Sequence, residues 1–179
     1  LYGGRMLIHM SNQKETIQLP WDAVIAAPFG KLGIRTEMVD ASLMVSELVY
    51  LDSNESLKSP RTLLAKEIEK QFKSYFKNPQ FIFDLPLKPF GTVFQQRVWA
   101  EIEKINCGEV KTYGDIAKKI KSAPRAVGQA CGSNPYPLVV PCHRVVSATG
   151  IGGFAHQAGE GFHRDVKAWL LQHEGVDLK

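Results

Sequence analysis

The chain has 179 residues, 44% of them hydrophobic and 22% charged, with a formal net charge of +4. That length suffices for one sizeable core or two small ones, and no apolar tract approaches a membrane-spanning helix. Three cysteines, Cys107, Cys131 and Cys142, form no CxxC pair, which argues against a zinc finger or a disulfide framework.

The opening LYGGRMLIHM starts on Leu and has methionine only at Met6 and Met10, so the residues before Met10 read as vector-derived. They lack the charged-then-apolar pattern of a secretory leader. Two apolar runs about a turn at Gly30–Gly33 predict a hairpin, and Leu43–Leu51 predicts a third strand. A helix follows, with Ser59 as its cap, Pro60 in its first turn and Pro79 at its end. Leu64, Ile68, Phe72 and Phe76 recur at steps of four and form its apolar face. No catalytic constellation stands out in this half, which reads as a scaffold.

Pro86, Pro89 and Gly91 mark Phe83–Thr92 as a linker. It divides the chain into an N-terminal scaffold domain, 1–85, and a C-terminal domain, 90–179. Thr92 and Gln95 have the capping-box spacing, and Phe94, Val98, Ile102 and Ile105 form the stripe of the next helix. Thr112–Ile120 and Ala123–Asn134 predict two short helices across a tight turn. They are either a helix-turn-helix or two helices that simply pack together. Arg164–Gly175 predicts a last amphipathic helix with Val166, Trp169 and Leu170 inward. The fold class expected is α+β: a small α/β unit with antiparallel strands, then a mainly helical domain containing the helix-turn-helix.

Charge is distributed unevenly. Residues 1–89 hold 11 basic and 10 acidic side chains, whereas 90–125 hold 7 and 4, so the excess sits around the two short helices. Lys118, Lys119 and Lys121 there are either phosphate contacts or a solvated face.

In PLVVPCHRVV, Pro137–Val146, apolar residues flank a Cys-His-Arg run. A thiol is only a few per cent thiolate at neutral pH, so a nucleophilic cysteine needs a base or a positive neighbour. Cys142 has both in His143 and Arg144; a carboxylate elsewhere in the chain is expected to orient the histidine, and Glu174 in the last helix is a candidate. Cys107 and Cys131 have no adjacent histidine and read as inert buried thiols. His156, His163 and His173 have spacings that fit no common zinc pattern, so no metal and no cofactor are expected.

NPYPLVVPCHRVVSATG, GEVKTYGDIA, PRAVGQACGSNP and WLLQHEG together resemble the O6-alkylguanine-DNA alkyltransferase family, over about Phe90 to Val176. The resemblance implies that Cys142 accepts the alkyl group from O6-alkylguanine in DNA, with O4-alkylthymine left open as a second substrate, in a single irreversible turnover. It implies His143 as base through a water, Glu174 behind it, and Asn134 bracing the turn that carries the thiol. It implies Arg125 replacing an extruded nucleotide in the duplex, with Ala126, Gly128 and Gly132 allowing close approach. It implies Tyr113 pressing on the neighbouring phosphate and able to protonate the leaving base. The partner implied is double-stranded DNA, the protein a monomer of the cytoplasm, or of a nucleus, with no membrane association. One departure stands out: the stretch from Gly150 to Lys167 is longer than the family's short glycine-rich loop. Two other functions remain open from the residues alone, a non-catalytic lesion-sensing DNA-binding protein and a cysteine hydrolase.

Overall fold

The computed structural model describes residues 19–152 and 161–178. They form a mixed α/β protein with a three-stranded antiparallel sheet, five α-helices and a short parallel strand pair. Strands β1 (Ala23–Ala27), β2 (Gly30–Val39) and β3 (Ser42–Leu51) lie in sequence order. The first turn is at Pro28–Phe29, ahead of the predicted Gly30–Gly33. Gly30 leaves that turn with φ of 139°, where a Cβ would stand 2.6 Å from the Leu51 carbonyl oxygen. Gly33 is instead inside β2, and its bare Cα admits the Trp21 ring, which a Cβ would meet at 2.7 Å. Opposite Arg35 and Thr36 the pairing skips Ser46. That bulge changes the phase of β3, so Val45, Leu48 and Tyr50 all face the core despite the uneven spacing.

Helix α1 (Leu63–Lys77) starts later than predicted. Thr62, not Ser59, is the cap, its Oγ1 accepting from the Ala65 amide at 3.1 Å. The cause is tertiary: Lys58 exchanges two backbone hydrogen bonds with Val24 of β1, which keeps the chain extended past Ser59. The buried face of α1 is Ala65, Ile68, Gln71, Phe72 and Tyr75, with Leu64 and Phe76 at its margins.

The predicted linker is a strap rather than a free tether. The Val45 amide donates to the Pro86 carbonyl at 2.8 Å, and the Lys88 amide donates to the Val45 carbonyl at 2.8 Å. These bonds cover the exposed edge of β3. Gln71 of α1 clamps the strap from the other side, bonding both the amide and the carbonyl of Asp84 at 2.9 Å.

Helix α2 (Val93–Ile102) begins with the Thr92–Gln95 capping box and buries Val98, Trp99 and Ile102. A second capping box, Thr112 with Asp115, opens α3 (Tyr113–Ile120). Lys121, at φ of 56°, ends α3, and α4 (Pro124–Gly132) starts three residues on. Trp99 ties α2 to α4 through an Nε1–H bond to the Ala130 carbonyl at 2.9 Å. The apolar run Leu138–Val140 before the thiol, although it has the composition of a core strand, is not one. It is a turn with Leu138 at φ of 73°, leading to a 3-10 turn at Cys142–Arg144. Strand β4 (Lys111–Thr112) pairs in parallel with β5 (Val145–Val146), joining the start of α3 to the residues after that turn. Helix α5 (Gly161–His173) begins three residues before the predicted Arg164, and Glu174 lies just beyond its end. Of the long stretch singled out in the sequence, His156 and Glu160 lie outside the described residues. One continuous core runs from the sheet and α1 through α2, α3, α4 and α5.

Candidate active site

Cys142 occupies the first position of the 3-10 turn and is almost fully buried. Asn134, just past α4, fixes that turn. Its Nδ2 donates to the Val140 carbonyl at 2.9 Å and to Cys142 Sγ at 3.3 Å, while its Oδ1 accepts from the Tyr136 amide at 2.9 Å. Leu138, a bulky buried residue with positive φ, lies within the segment so held. Such a conformation costs about 1–2 kcal/mol and persists only where its surroundings over-determine it.

His143, 1% exposed, places Nε2 2.6 Å from Glu174 Oε1. Glu174 is the hub of a buried network. Arg144 donates to it from Nε at 3.0 Å and Nη2 at 2.9 Å, and Tyr75 Oη–H donates at 3.1 Å. The third arm of Arg144, Nη1, donates to the Ile105 carbonyl at 2.7 Å, which aims the guanidinium. Burial pushes the Glu174 carboxyl up, but the hydrogen bonds from His143 and Arg144 outweigh it and hold the group down at about 2. Burial lowers His143 from its ordinary value, against the pull of Glu174.

These facts determine the tautomer. A carboxylate only accepts hydrogen bonds, so the proton on a neutral His143 is on Nε2 and the lone pair on Nδ1. Nδ1 is buried and meets no hydrogen-bond partner among the described residues. The site therefore holds a ring nitrogen ready to take a proton, next in the chain to a thiol.

The thiol has its own opposing influences. A hydrogen bond with Cys131, then burial, push Cys142 well above the ordinary thiol value; Asn134 and the Lys167 ammonium pull it down. Lys167 is wholly buried on α5, its Nζ donating to the Val145 carbonyl at 2.7 Å and to Tyr113 Oη at 3.4 Å. Burial lowers it to about 8, against the attraction of Cys131 and Cys142. Burial likewise raises the Tyr113 phenol, which stays protonated across the physiological range. At rest the thiol is protonated, and it reacts only as a base draws its proton away.

The structure thus gathers Cys142, His143, Glu174, Asn134 and Tyr113 around one buried centre. Arg125 is elsewhere, exposed in the first turn of α4, with Ala126, Gly128 and Gly132 partly exposed along the same helix. Three neighbours of the centre were not legible as such. Tyr75 is 99 residues from Glu174 and has no local signal. Cys131, read as inert, lines the same cavity as the reactive thiol. Lys167 did leave a trace: it is three and four residues before Leu170 and Leu171, which puts a lysine on the inward face of α5.

Residues 93–176 match the family described as 6-O-methylguanine DNA methyltransferase, DNA binding domain. The chain is 38% identical over 143 residues to a methylated-DNA–protein-cysteine methyltransferase of Methanosarcina mazei, covering 75% of this chain and 87% of that protein. It is 36% identical over 159 residues to the constitutive enzyme of that name from Bacillus subtilis, covering 85% and 93%. The crystal structure of Mycobacterium tuberculosis OGT in complex with DNA superposes with a TM-score of 0.68 and 33% identity, covering 85% of this chain and 91% of that one.

Proposed function

The chain belongs to the methylated-DNA–protein-cysteine methyltransferase family, a DNA-repair enzyme that moves an alkyl group from DNA onto its own cysteine, and from that premise we propose that Cys142 is the acceptor and His143 its base. The observation that carries the proposal is the network around Glu174, which leaves the basic lone pair of His143 on Nδ1, on the residue that follows the thiol in the chain. The Cys142 proton passes over a water to Nδ1. Glu174 then faces an imidazolium, whose charge it is placed to balance. The thiolate attacks the alkyl carbon on O6 of guanine, the S–C bond forms, and the C–O6 bond breaks with its electrons going to the base. Tyr113, a neutral phenol beside Lys167, donates a proton to that leaving base. The product is a thioether, and no group in the site can expel a thiolate from an unactivated carbon, so each molecule acts once.

Duplex DNA is the partner. Helices α3 and α4 act as the helix-turn-helix, with Arg125 at the leading end of α4 filling the gap left by the extruded nucleotide. Flipping costs a few kcal/mol, and a stacking side chain offsets part of it. Ala126, Gly128 and Gly132 keep the helix surface low enough to approach the duplex. Residues 90–179 carry binding and chemistry, and residues 1–85 support them. The contribution of Tyr75 to the Glu174 network favours that supporting role. Among the described residues no helix is long and apolar enough to cross a membrane, and we place the protein with chromosomal DNA, in the cytoplasm or a nucleus.

The test is peptide mass spectrometry after mixing the protein with duplex DNA containing one O6-methylguanine. One methyl on the Cys142 peptide, saturating at one per protein and absent from Cys142→Ser, is expected. Binding without any mass change would overturn the transfer and leave a lesion sensor.

A further inference from the structure

We propose that Cys131 and Cys142 form a reversible dithiol–disulfide site, oxidised by peroxides, that takes the acceptor thiol out of action and protects it. Cys131 is in the last turn of α4 and is near enough to the Cys142 thiol to raise it. Both thiols line one cavity of about 320 Å³, together with Ser133, Asn134, Pro137 and residues of β3. Hydrogen peroxide is scarcely larger than water and fits that space.

Both sulfurs are carried on rigid parts. Asn134 is three residues beyond Cys131 and bonds Cys142 Sγ directly, so one short segment carries Cys131 and grips the other thiol. Holding reacting groups in this way replaces a bimolecular encounter with an intramolecular one. Lys167 attracts charge on either sulfur and so favours whichever thiolate forms. The third cysteine is not a competitor. Cys107 lines a separate cavity with Tyr75, Phe83 and Arg144.

The chemistry balances with peroxide as the named oxidant. One thiolate attacks peroxide, an S–O bond forms, the O–O bond breaks, and the first water leaves. The second thiol attacks the resulting sulfenic sulfur, the S–S bond forms, the S–O bond breaks, and the second water leaves. Two thiols and one peroxide thus become a disulfide and two waters. The sulfur is oxidised by two electrons in total, and peroxide is reduced by two. Without Cys131, a sulfenic acid on Cys142 would continue to sulfinic acid, which thiols do not reverse. The consequence for repair rests on Cys142 being the acceptor; the bond itself does not.

The experiment treats reduced native protein with hydrogen peroxide, then splits it for peptide mapping and for alkyl transfer before and after dithiothreitol. A 131–142 cross-linked peptide, two hydrogens lighter than its parts, is expected, with transfer lost on oxidation and regained on reduction. In Cys131→Ser and Cys131→Ala the loss should persist after reduction, with sulfinic acid on Cys142, while Cys107→Ser should behave as native. Mapping on the native chain keeps the test decisive even where a variant folds poorly. Absence of the cross-link, or full recovery in folded Cys131→Ala, would overturn the proposal. A cross-link accompanied by alkyl transfer to some other cysteine would support the disulfide and overturn the acceptor assignment.

Discussion

Replacing Glu174 with Gln preserves shape and removes a charge at the point where three side chains converge. The carboxylate accepts from His143 Nε2 at 2.6 Å, from Arg144 Nη2 at 2.9 Å and from Tyr75 Oη at 3.1 Å. All three bonds go to Oε1. A glutamine that keeps this oxygen puts an NH2 in place of Oε2, where it can only confront Arg144 Nε, now bonded at 3.0 Å, so at least one donor is stranded. Arg144, 14% exposed, also loses its counter-charge. Removing one partner of a buried ion pair costs about 3–5 kcal/mol, and the slight exposure of Arg144 places this case near 3. The chemistry suffers separately, because no negative charge then balances the imidazolium that forms as His143 takes the thiol proton. A positioned general base is worth about a hundredfold or more in rate. Urea denaturation measures the first effect. Single-turnover transfer, with protein in excess over an O6-methylguanine duplex, measures the second. A Glu174→Gln protein with native stability and native rate would refute the account of the network and of the base together.

Stability should fall with acid in two stages. His143 has a folded value below its ordinary 6.5, so the unfolded chain binds the proton first and stability declines as pH drops through 6.5. Glu174 has its folded value near 2, below the ordinary 4.5, so its stabilisation is present above 4.5 and is lost between there and about 2. That second loss is about 3 kcal/mol; denaturation across the range should show it in the native chain and not in Glu174→Gln. Lys167→Met removes the cation near the thiols and should slow transfer about tenfold at neutral pH, the worth of one pKa unit on the thiol. The native rate should also turn down as Lys167 loses its charge near pH 8, a limb the variant lacks; identical pH profiles would count against it. Tyr75→Phe removes one hydrogen bond and strands no donor, so a loss of about 1 kcal/mol is expected with transfer near native. A hundredfold slower rate there would mean that Tyr75 orders the base. Arg125→Ala should weaken duplex binding and slow repair in duplex DNA, while leaving reaction with a free O6-alkylated base unchanged; equal losses on both substrates would remove Arg125 from the flipping step.

By itself the sequence determined what depends on near neighbours. The Thr92–Gln95 box, the stripe of α2 and the Cys-His-Arg run inside PLVVPCHRVV are short-range patterns, read from spacing and side-chain chemistry. The alkyltransferase motifs are of the same kind, and they pointed to the family that the comparisons show. Where an element met a distant one, local reading failed in a definite direction. Ser59 has the chemistry of a cap, but Lys58 is bound to β1, so the helix waits for Thr62. The Pro-rich linker has the composition of a tether, but the unpaired edge of β3 draws it into backbone hydrogen bonds. Only the tertiary structure decided that Tyr75 of the scaffold completes the Glu174 network, that Lys167 is buried near the thiols, and that Cys131 shares a cavity with Cys142. The physical reason is common to all three: a buried polar group must find its partner in space, and a folded chain supplies that partner from any sequence distance.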